Sequence, residues 1–181
     1  ELSRKIPHVA VSVAIASWPF FVSMHTVLTL GLIFTFAALS IRLLGLFPHS
    51  RAVERASWGE VLFGAGVALS ALVSPSKWVF ATAMLYLGVA DAIAALVGKH
   101  KGKNTYRLFG HMKSMEGSLA FWAVAVGISM LLVFTVPAGF GNAWHIIIWL
   151  PLLATAVEAA TPWGFDNLAL PIVVTIALTG L

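Results

Sequence analysis

Cysteine is absent from this 181-residue chain, and charged residues are scarce. Without cysteine, the protein can have no disulfide, no thiolate metal site and no cysteine nucleophile. Charged residues make up 10% of the sequence and hydrophobic residues 60%, whereas a soluble domain carries roughly 25% charged residues. This composition excludes an ordinary soluble domain and predicts an integral membrane protein.

Internal repeats and low-complexity tracts are also absent, which weakens the hypothesis of an inverted-repeat transporter. Each bilayer crossing by a helix takes about 20 apolar residues. A chain of this length therefore leaves no room for a separate soluble domain, and we expect residues 1–181 to form one integral membrane domain.

Long apolar runs bounded by charge, glycine or proline predict an all-α, polytopic fold with about seven transmembrane helices. A β-barrel would alternate apolar and polar residues, but the run Ile146-Ile147-Ile148-Trp149-Leu150 is apolar on every side. The predicted spans cover about 6–22, 25–47, 58–74, 78–97, 115–136, 142–160 and 166–181.

Basic residues lie almost entirely on one side of the predicted bundle, and only Lys77 falls in the opposite loops. Because basic loops stay in the cytoplasm, we expect the amino terminus and the loops after spans 2, 4 and 6 to be cytoplasmic. This rule explains the net charge of +4 without nucleic-acid binding. The residues on the basic side are Arg4, Lys5, Arg42, Arg51, Arg55, Lys99, Lys101, Lys103, Arg107 and Lys113.

Acidic residues gather on the same side, although no insertion rule places them there. A channel or transporter needs polar residues on both faces and a path between them. An enzyme that joins a cytoplasmic substrate to a lipid needs only one polar face, so the pattern favours such an enzyme. The acidic residues are Glu1, Glu54, Glu60, Asp91, Glu116, Glu158 and Asp166.

Asp91 lies inside predicted span 4. A carboxylate at that depth is costly unless it faces protein, water or a cation. We interpret it as part of a metal or phosphate site, and the alternative is a hydrogen-bonded carboxylate that only fastens helices together.

Residues 98–104 are predicted to form a flexible loop that carries Lys99, Lys101 and Lys103, with Gly98 and Gly102 as hinges. Ammonium groups donate to phosphate oxygens, and glycine permits close approach of the backbone. The loop therefore suits a polyphosphate, but a basic stop-transfer loop would have the same composition. Its spacing is not that of a P-loop.

Lys113, Ser114 and Ser118 surround the predicted start of span 5, where unpaired backbone N–H groups attract phosphate and Gly117 leaves space. Glu116 in the same turn is either a partner of the helix dipole or a magnesium ligand.

Glu158 ends span 6, and Asp166-Asn167 begins span 7. Asp166 is a catalytic or metal-binding candidate, with a plain helix cap as the alternative. Carboxylates from five helices would repel one another at one membrane level unless lysines or divalent cations neutralise them. These five residues are Glu60, Asp91, Glu116, Glu158 and Asp166.

His8 stands at the start of span 1, where it could contact a phosphate or carry a proton. The tryptophans near span ends are interpreted as interfacial anchors rather than as a stacking site. They include Trp58, Trp78, Trp144 and Trp163.

The polar motifs and their order along the chain resemble those of the family of phytol kinases, dolichol kinases and CTP-dependent diacylglycerol kinases. This family is distantly similar to the CDP-diacylglycerol synthases. The resemblance covers nearly the whole chain. The motifs are Glu1-Leu2-Ser3-Arg4-Lys5 with His8, Ser57-Trp58-Gly59-Glu60, Ala90-Asp91-Ala92 with Ala94 and Gly98, Lys113-Ser114-Met115-Glu116-Gly117-Ser118, and Glu158 with Gly164, Asp166-Asn167-Leu168 and Pro171.

The resemblance implies transfer of the terminal phosphate of a nucleoside triphosphate, often CTP, to a membrane lipid alcohol with Mg²⁺. The acceptor would be a polyprenol-type alcohol such as phytol, geranylgeraniol or dolichol, or diacylglycerol. The opening motif resembles the phytol-kinase branch most closely. Ala90 replaces a frequent glycine and Gly110-His111 a stretch that usually carries Asn or Lys, so nucleotide preference and branch stay open.

The mechanism predicted from the residues and the resemblance places Mg²⁺ on Asp91 with Glu116 or Asp166, and lysines on the phosphates. The lipid alcohol would enter between helices, and Asp166 or Glu158 would accept its proton. The predicted phosphate-binding residues are Arg4, Lys5, His8, Lys99, Lys101, Lys103, Lys113, Ser114, Gly117 and Ser118, and the further candidates are Glu60 and Asn167.

Two other functions fit the same sequence. A phosphatidate cytidylyltransferase would use a similar charged surface but attack the α-phosphate. A small transporter or structural membrane subunit is the alternative from another class, because intramembrane acids also mark ion pathways.

Overall fold

The computed structural model describes residues 2–44, 58–136 and 143–179, and it confirms the all-α class. Each of the predicted spans overlaps a helix. The helices are α1 (Leu2–Ser17), α2 (Met24–Leu44), α3 (Gly59–Val73), α4 (Lys77–Leu85), α5 (Asp91–Lys101), α6 (Met115–Thr135), α7 (Leu150–Ala160) and α8 (Asp166–Thr179).

The helix at the centre of the bundle consists of α4 and α5, joined by a π-helical turn at Tyr86–Ala90. In this continuous helix, Lys77–Lys101, 72% of the most apolar 18-residue stretch is buried inside the protein, compared with 11% of the corresponding stretch in α2. It packs against α1, α6 and α8. The bundle is therefore built around this helix, and α2 lies at its periphery.

Within the described ranges, three helices are long and apolar enough to cross a membrane by length and composition: Met24–Leu44, Lys77–Lys101 and Met115–Thr135. The apolar stretches Ile6–Phe20, Gly59–Val73, His145–Ala160 and Asp166–Thr179 are shorter. These helices are those of an integral membrane protein. The number of crossings and the cytoplasmic position of the amino terminus stay predictions.

A β-hairpin between α5 and α6 was not predicted. Strand β1 (Thr105–Leu108) pairs antiparallel with β2 (His111–Ser114), and Tyr106 lies opposite Lys113. The two turn residues, Phe109 and Gly110, have φ angles of 46° and 84°. Two consecutive positive φ angles are what a type I′ turn requires, and this turn matches the twist of paired strands.

The prediction of a flexible loop at residues 98–104 is wrong, because α5 continues to Lys101. Lysines are favourable in the last turn of a helix, where they face the negative end of the helix dipole. The two glycines serve packing instead of acting as hinges. A Cβ at Gly98 would lie 2.9 Å from the Ser114 hydroxyl, and one at Gly102 would lie 2.8 Å from the Ser114 Cβ.

The start of α8 is fastened to α3 at two levels. The side-chain amide of Asn167 donates to the Gly59 carbonyl at 3.0 Å. About two turns further along α3, Gly66 packs so closely on α8 that an added Cβ would collide with the Asn167 carbonyl oxygen. Asn167, a candidate for the functional site in the sequence, is thus a structural link between these helices.

Replacing Gly66 by alanine is expected to destabilise the protein by about 1–3 kcal/mol, because a methyl group has no space there. Thermal unfolding of the detergent-solubilised variant measures the effect. Gly127→Ala in α6 is the matched control, because no described atom lies within 4 Å of a Cβ there. Equal unfolding midpoints for the two variants would contradict the close contact between α3 and α8.

Candidate active site

A cavity of about 470 Å³ opens at the polar end of the bundle, where α5 and α7 end and α6 and α8 begin. This volume lies within the usual range of roughly 300–1,000 Å³ for ligand sites. The side chains of Asp91, Glu158 and Asp166 line it together with those of Lys99 and Lys113. Three carboxylates and two ammonium groups from four elements thus share one cavity.

One face of α5 forms a wall of the cavity through Asp91, Ala94, Ala95, Gly98 and Lys99. These positions follow the i, i+3, i+4, i+7 and i+8 spacing of a helix face. Asp91 lies about 15 Å below the end of α5, since a helix rises 1.5 Å per residue. The cavity therefore extends from the surface into the bundle along this helix.

Asp91 follows the π-helical turn directly, and its backbone N–H donates to the carbonyl of Tyr86 five residues earlier. Its side chain is 7% exposed. At the first residue of this turn, the Tyr86 hydroxyl lies 2.6 Å from the Ser129 hydroxyl and fastens the central helix to α6. Single π turns inside α-helices occur frequently at functional sites, and this one sets the direction of the Asp91 carboxylate.

Lys113 on β2 forms an ion pair with the Glu158 carboxylate and donates to the Glu158 carbonyl oxygen at 3.0 Å. Burial acts most strongly on its pKa and lowers it, but the attraction of Glu158, Asp166 and Asp91 outweighs burial. The pKa of Lys113 therefore lies above its usual value. At neutral pH a protonated ammonium group stands among three carboxylates.

The two partner carboxylates differ in setting. Glu158 is 4% exposed near the end of α7, whereas Asp166 is half-buried in the first turn of α8. The Asp166 carboxylate accepts a hydrogen bond from the Asn167 backbone N–H at 2.9 Å. Asp166 is therefore the more accessible of the two on the cavity wall.

Ser114, Gly117 and Ser118 reach the cavity but also hold its walls together. The Ser114 hydroxyl caps α6 by accepting from the Gly117 N–H at 3.1 Å. A Cβ at Gly117 would lie 3.0 Å from the Ala94 carbonyl, so the glycine sets the spacing of α5 and α6. The Ser118 hydroxyl lies 2.6 Å from that of Tyr106 and anchors the hairpin.

The cavity brings together eight of the residues predicted from the sequence, while their roles stay predictions. They are Asp91, Lys99, Lys113, Ser114, Gly117, Ser118, Glu158 and Asp166.

Glu116 does not lie with them. Its carboxylate accepts from the Asn104 backbone N–H at 3.1 Å and from the Asn104 side-chain amide at 3.0 Å. This contact fixes the chain between α5 and the hairpin. Glu116 is not among the residues that line the cavity with Asp91, and its role as a magnesium ligand stays a prediction.

Other predicted residues also lie outside the cavity lining. The His8 ring packs on Phe63 of α3, with centroids 5.4 Å apart. Lys101, Lys103 and Glu60 are exposed elsewhere. The side chains of Arg4 and Lys5 lie outside the described part of the chain, as do Arg51, Glu54 and Arg55.

The hairpin and the turn before α8 add residues that the sequence interpretation missed. The imidazole of His111 and the indole of Trp163 meet at 5.0 Å between ring centroids and 89° between planes. No motif indicated this pair, because the contact joins residues that are distant in the chain. The added lining residues are Thr105, His111, Met112, Thr161, Pro162 and Trp163.

The carboxylates of the cavity could hold magnesium only together with other ligands such as phosphate oxygens. Among the described residues, no three histidine or acidic side chains are arranged to hold a metal ion. Magnesium in nucleotide sites is usually held by one or two carboxylates together with phosphate oxygens and water. The cavity therefore fits an ion that arrives with a nucleotide, and its described residues do not form an all-protein metal cage.

Comparison with known proteins supports the resemblance seen in the sequence. The chain is 30% identical over 182 residues to the phytol kinase of Synechocystis sp. (strain ATCC 27184 / PCC 6803 / Kazusa). The match covers 95% of this chain and 76% of the relative. No family model matches the chain, and no solved structure matches it.

Proposed function

The chain belongs to the family of phytol and dolichol kinases, a family of lipid-alcohol kinases, and we propose that it transfers the terminal phosphate of CTP to a polyprenol-type alcohol. The observation that carries this proposal is the shared cavity, where the ammonium group of Lys113 stands among Asp91, Glu158 and Asp166. Phosphoryl transfer depends mainly on positioning and on neutralising phosphate charge. A cavity rich in both signs of charge suits that task.

Lys113 and Lys99 are the residues that we assign to the phosphates. Lys113 is protonated and held in the cavity wall by Glu158, so its position is set before a nucleotide binds. Such preorganised charge stabilises a transition state without a reorganisation cost. Lys99 lies two helical turns above Asp91 on the same face of α5, where it would neutralise charge nearer the cavity mouth.

Asp91 is the carboxylate that would hold magnesium together with the phosphates. The ion would supply charge neutralisation at the phosphate oxygens. Glu158 is occupied by Lys113, which makes it a positioning residue. Asp166, half-buried on the cavity wall, is the carboxylate that we assign to accept the proton of the lipid hydroxyl.

The bilayer supplies the lipid substrate in this proposal. The helices that end or begin at the cavity are apolar along most of their length, so a lipid alcohol need only bring its hydroxyl to the polar end of the bundle. The strong bias of lysine and arginine to this end supports a multi-pass protein with the cavity at the cytoplasmic face.

Incubation of the purified protein with magnesium, radiolabelled CTP or ATP, and a panel of lipid alcohols tests the reaction. Phytol, geranylgeraniol, dolichol and diacylglycerol form the panel. We expect CDP and a phosphorylated polyprenol-type alcohol as products. Pyrophosphate with a CDP-lipid would show a cytidylyltransferase instead, and a lack of lipid-dependent nucleoside diphosphate release would contradict the kinase proposal.

A further inference from the structure

Trp163 differs from a simple interfacial anchor in its position and in its backbone. It lines the mouth of the cavity, and its side chain is 68% exposed. Its φ angle is 51°, a value that is rare and unfavourable for a bulky residue. Strain of this kind persists only where the surroundings hold it, and it clusters at ligand sites.

The surroundings of Trp163 fix its backbone through the neighbouring glycine and its indole through the hairpin. Gly164, with a φ of 87°, continues the turn, and an added Cβ there would lie 2.9 Å from the Gly59 Cα. On the other side, His111 of the hairpin meets the indole in a perpendicular contact. The turn before α8 and the hairpin thus fix the ring, while most of its surface stays open at the cavity mouth.

We propose that Trp163, oriented by His111, is the nucleobase subsite of the cavity. This inference rests on the proposed function, since it assumes a nucleotide whose phosphates lie at Lys113. A flat aromatic base would stack on the open indole surface, and the triphosphate would extend inward to the charged residues. Stacking on an aromatic ring accepts any base, so this subsite supplies affinity and not the choice between CTP and ATP.

Equilibrium binding of radiolabelled Mg–CTP and Mg–ATP to the purified, detergent-solubilised protein tests the subsite without requiring turnover. Trp163→Ala is expected to weaken binding of both nucleotides roughly 5- to 150-fold, the usual effect of removing a stacking ring. Trp163→Phe keeps a flat ring and should restore most of the affinity. Trp144→Ala is the matched control, because Trp144 is equally exposed but lies outside the cavity lining.

Inorganic tripolyphosphate with magnesium is the probe that lacks a base. Its affinity, measured by competition, should be the same for wild type and Trp163→Ala if the indole contacts the base alone. Unchanged nucleotide binding in Trp163→Ala would overturn the inference. Equal losses for nucleotide and tripolyphosphate would overturn it as well, because the indole would then support the cavity or its membrane contact.

The same measurements separate this inference from the proposed reaction. Nucleotide binding that depends on Trp163, without any lipid phosphorylation, would keep the subsite and contradict the kinase proposal. Lipid phosphorylation by a protein whose nucleotide affinity does not depend on Trp163 would support the proposed reaction and overturn the proposed base subsite.

Discussion

Replacing Asp91 by asparagine is expected to lower kcat at least about 100-fold, an effect typical of losing one preorganised electrostatic contact in an active site. The substitution keeps the shape of the side chain and removes its charge. Because Asp91 is buried beside the cavity, we expect the loss to come from weakened magnesium binding. Steady-state rates at increasing magnesium concentration measure it, and the half-saturating concentration should rise.

Glu116→Gln provides the comparison at a second carboxylate of the same region. Its side chain contacts Asn104 and does not line the cavity. The kcat of Glu116→Gln should therefore fall less than about tenfold, below the usual effect of losing an active-site contact. Thermal unfolding shows whether both proteins are folded. Equal loss of turnover in the two variants, or full activity of Asp91→Asn, would contradict the metal role of Asp91.

Replacing Lys113 by methionine is expected to abolish turnover and also to destabilise the protein by about 3 kcal/mol, because the buried Glu158 carboxylate loses its ammonium partner. The double variant Lys113→Met with Glu158→Gln separates these effects. A neutral pair removes the uncompensated charge, so stability should largely return. Turnover should not return, because the phosphates still lack the ammonium group.

Unfolding midpoints and kinase rates of the single and double variants check this prediction. The pKa of Lys113 is raised in the folded protein, so its stabilising contribution is complete below the ordinary lysine value of 10.5 and is lost as the pH rises further. Above that pH, wild type should lose stability more steeply than the double variant. Recovery of turnover in the double variant would show that Lys113 serves only to neutralise Glu158.

The helices were predictable because bilayer crossing imposes a simple rule on sequence. Long apolar runs with polar ends located each helical stretch within a few residues, as for span 78–97 and helix Lys77–Lys101. The hairpin was not predictable from the sequence. The segment Thr105 to Ser114 is short and largely polar, and Phe109-Gly110 is not one of the usual turn pairs. The π turn at Tyr86–Ala90 has no pattern of apolar residues that would distinguish it from ordinary helix.

The candidate site was predictable where the sequence places a charged residue inside or at the end of an apolar span, because burying a charge there costs free energy. Asp91 and Glu158 are carboxylates at positions where only a partner makes them tolerable, and both line the cavity. Side-chain direction was not predictable for Glu116, because a helix start next to a polar segment offers several partners. The pairing of His111 with Trp163 depends on how the hairpin packs against the turn between α7 and α8, which is a matter of tertiary structure.

The π-helical turn gives the central helix one residue more than a regular α-helix would need between the same two anchor points. Each residue of an α-helix turns the next side chain by about 100°. The extra residue therefore lets Tyr86 point towards α6 while Asp91 points into the cavity. Shortening this turn by one residue would aim the carboxylate at a neighbouring helix, so the position of the Asp91 carboxylate depends on the length of this turn.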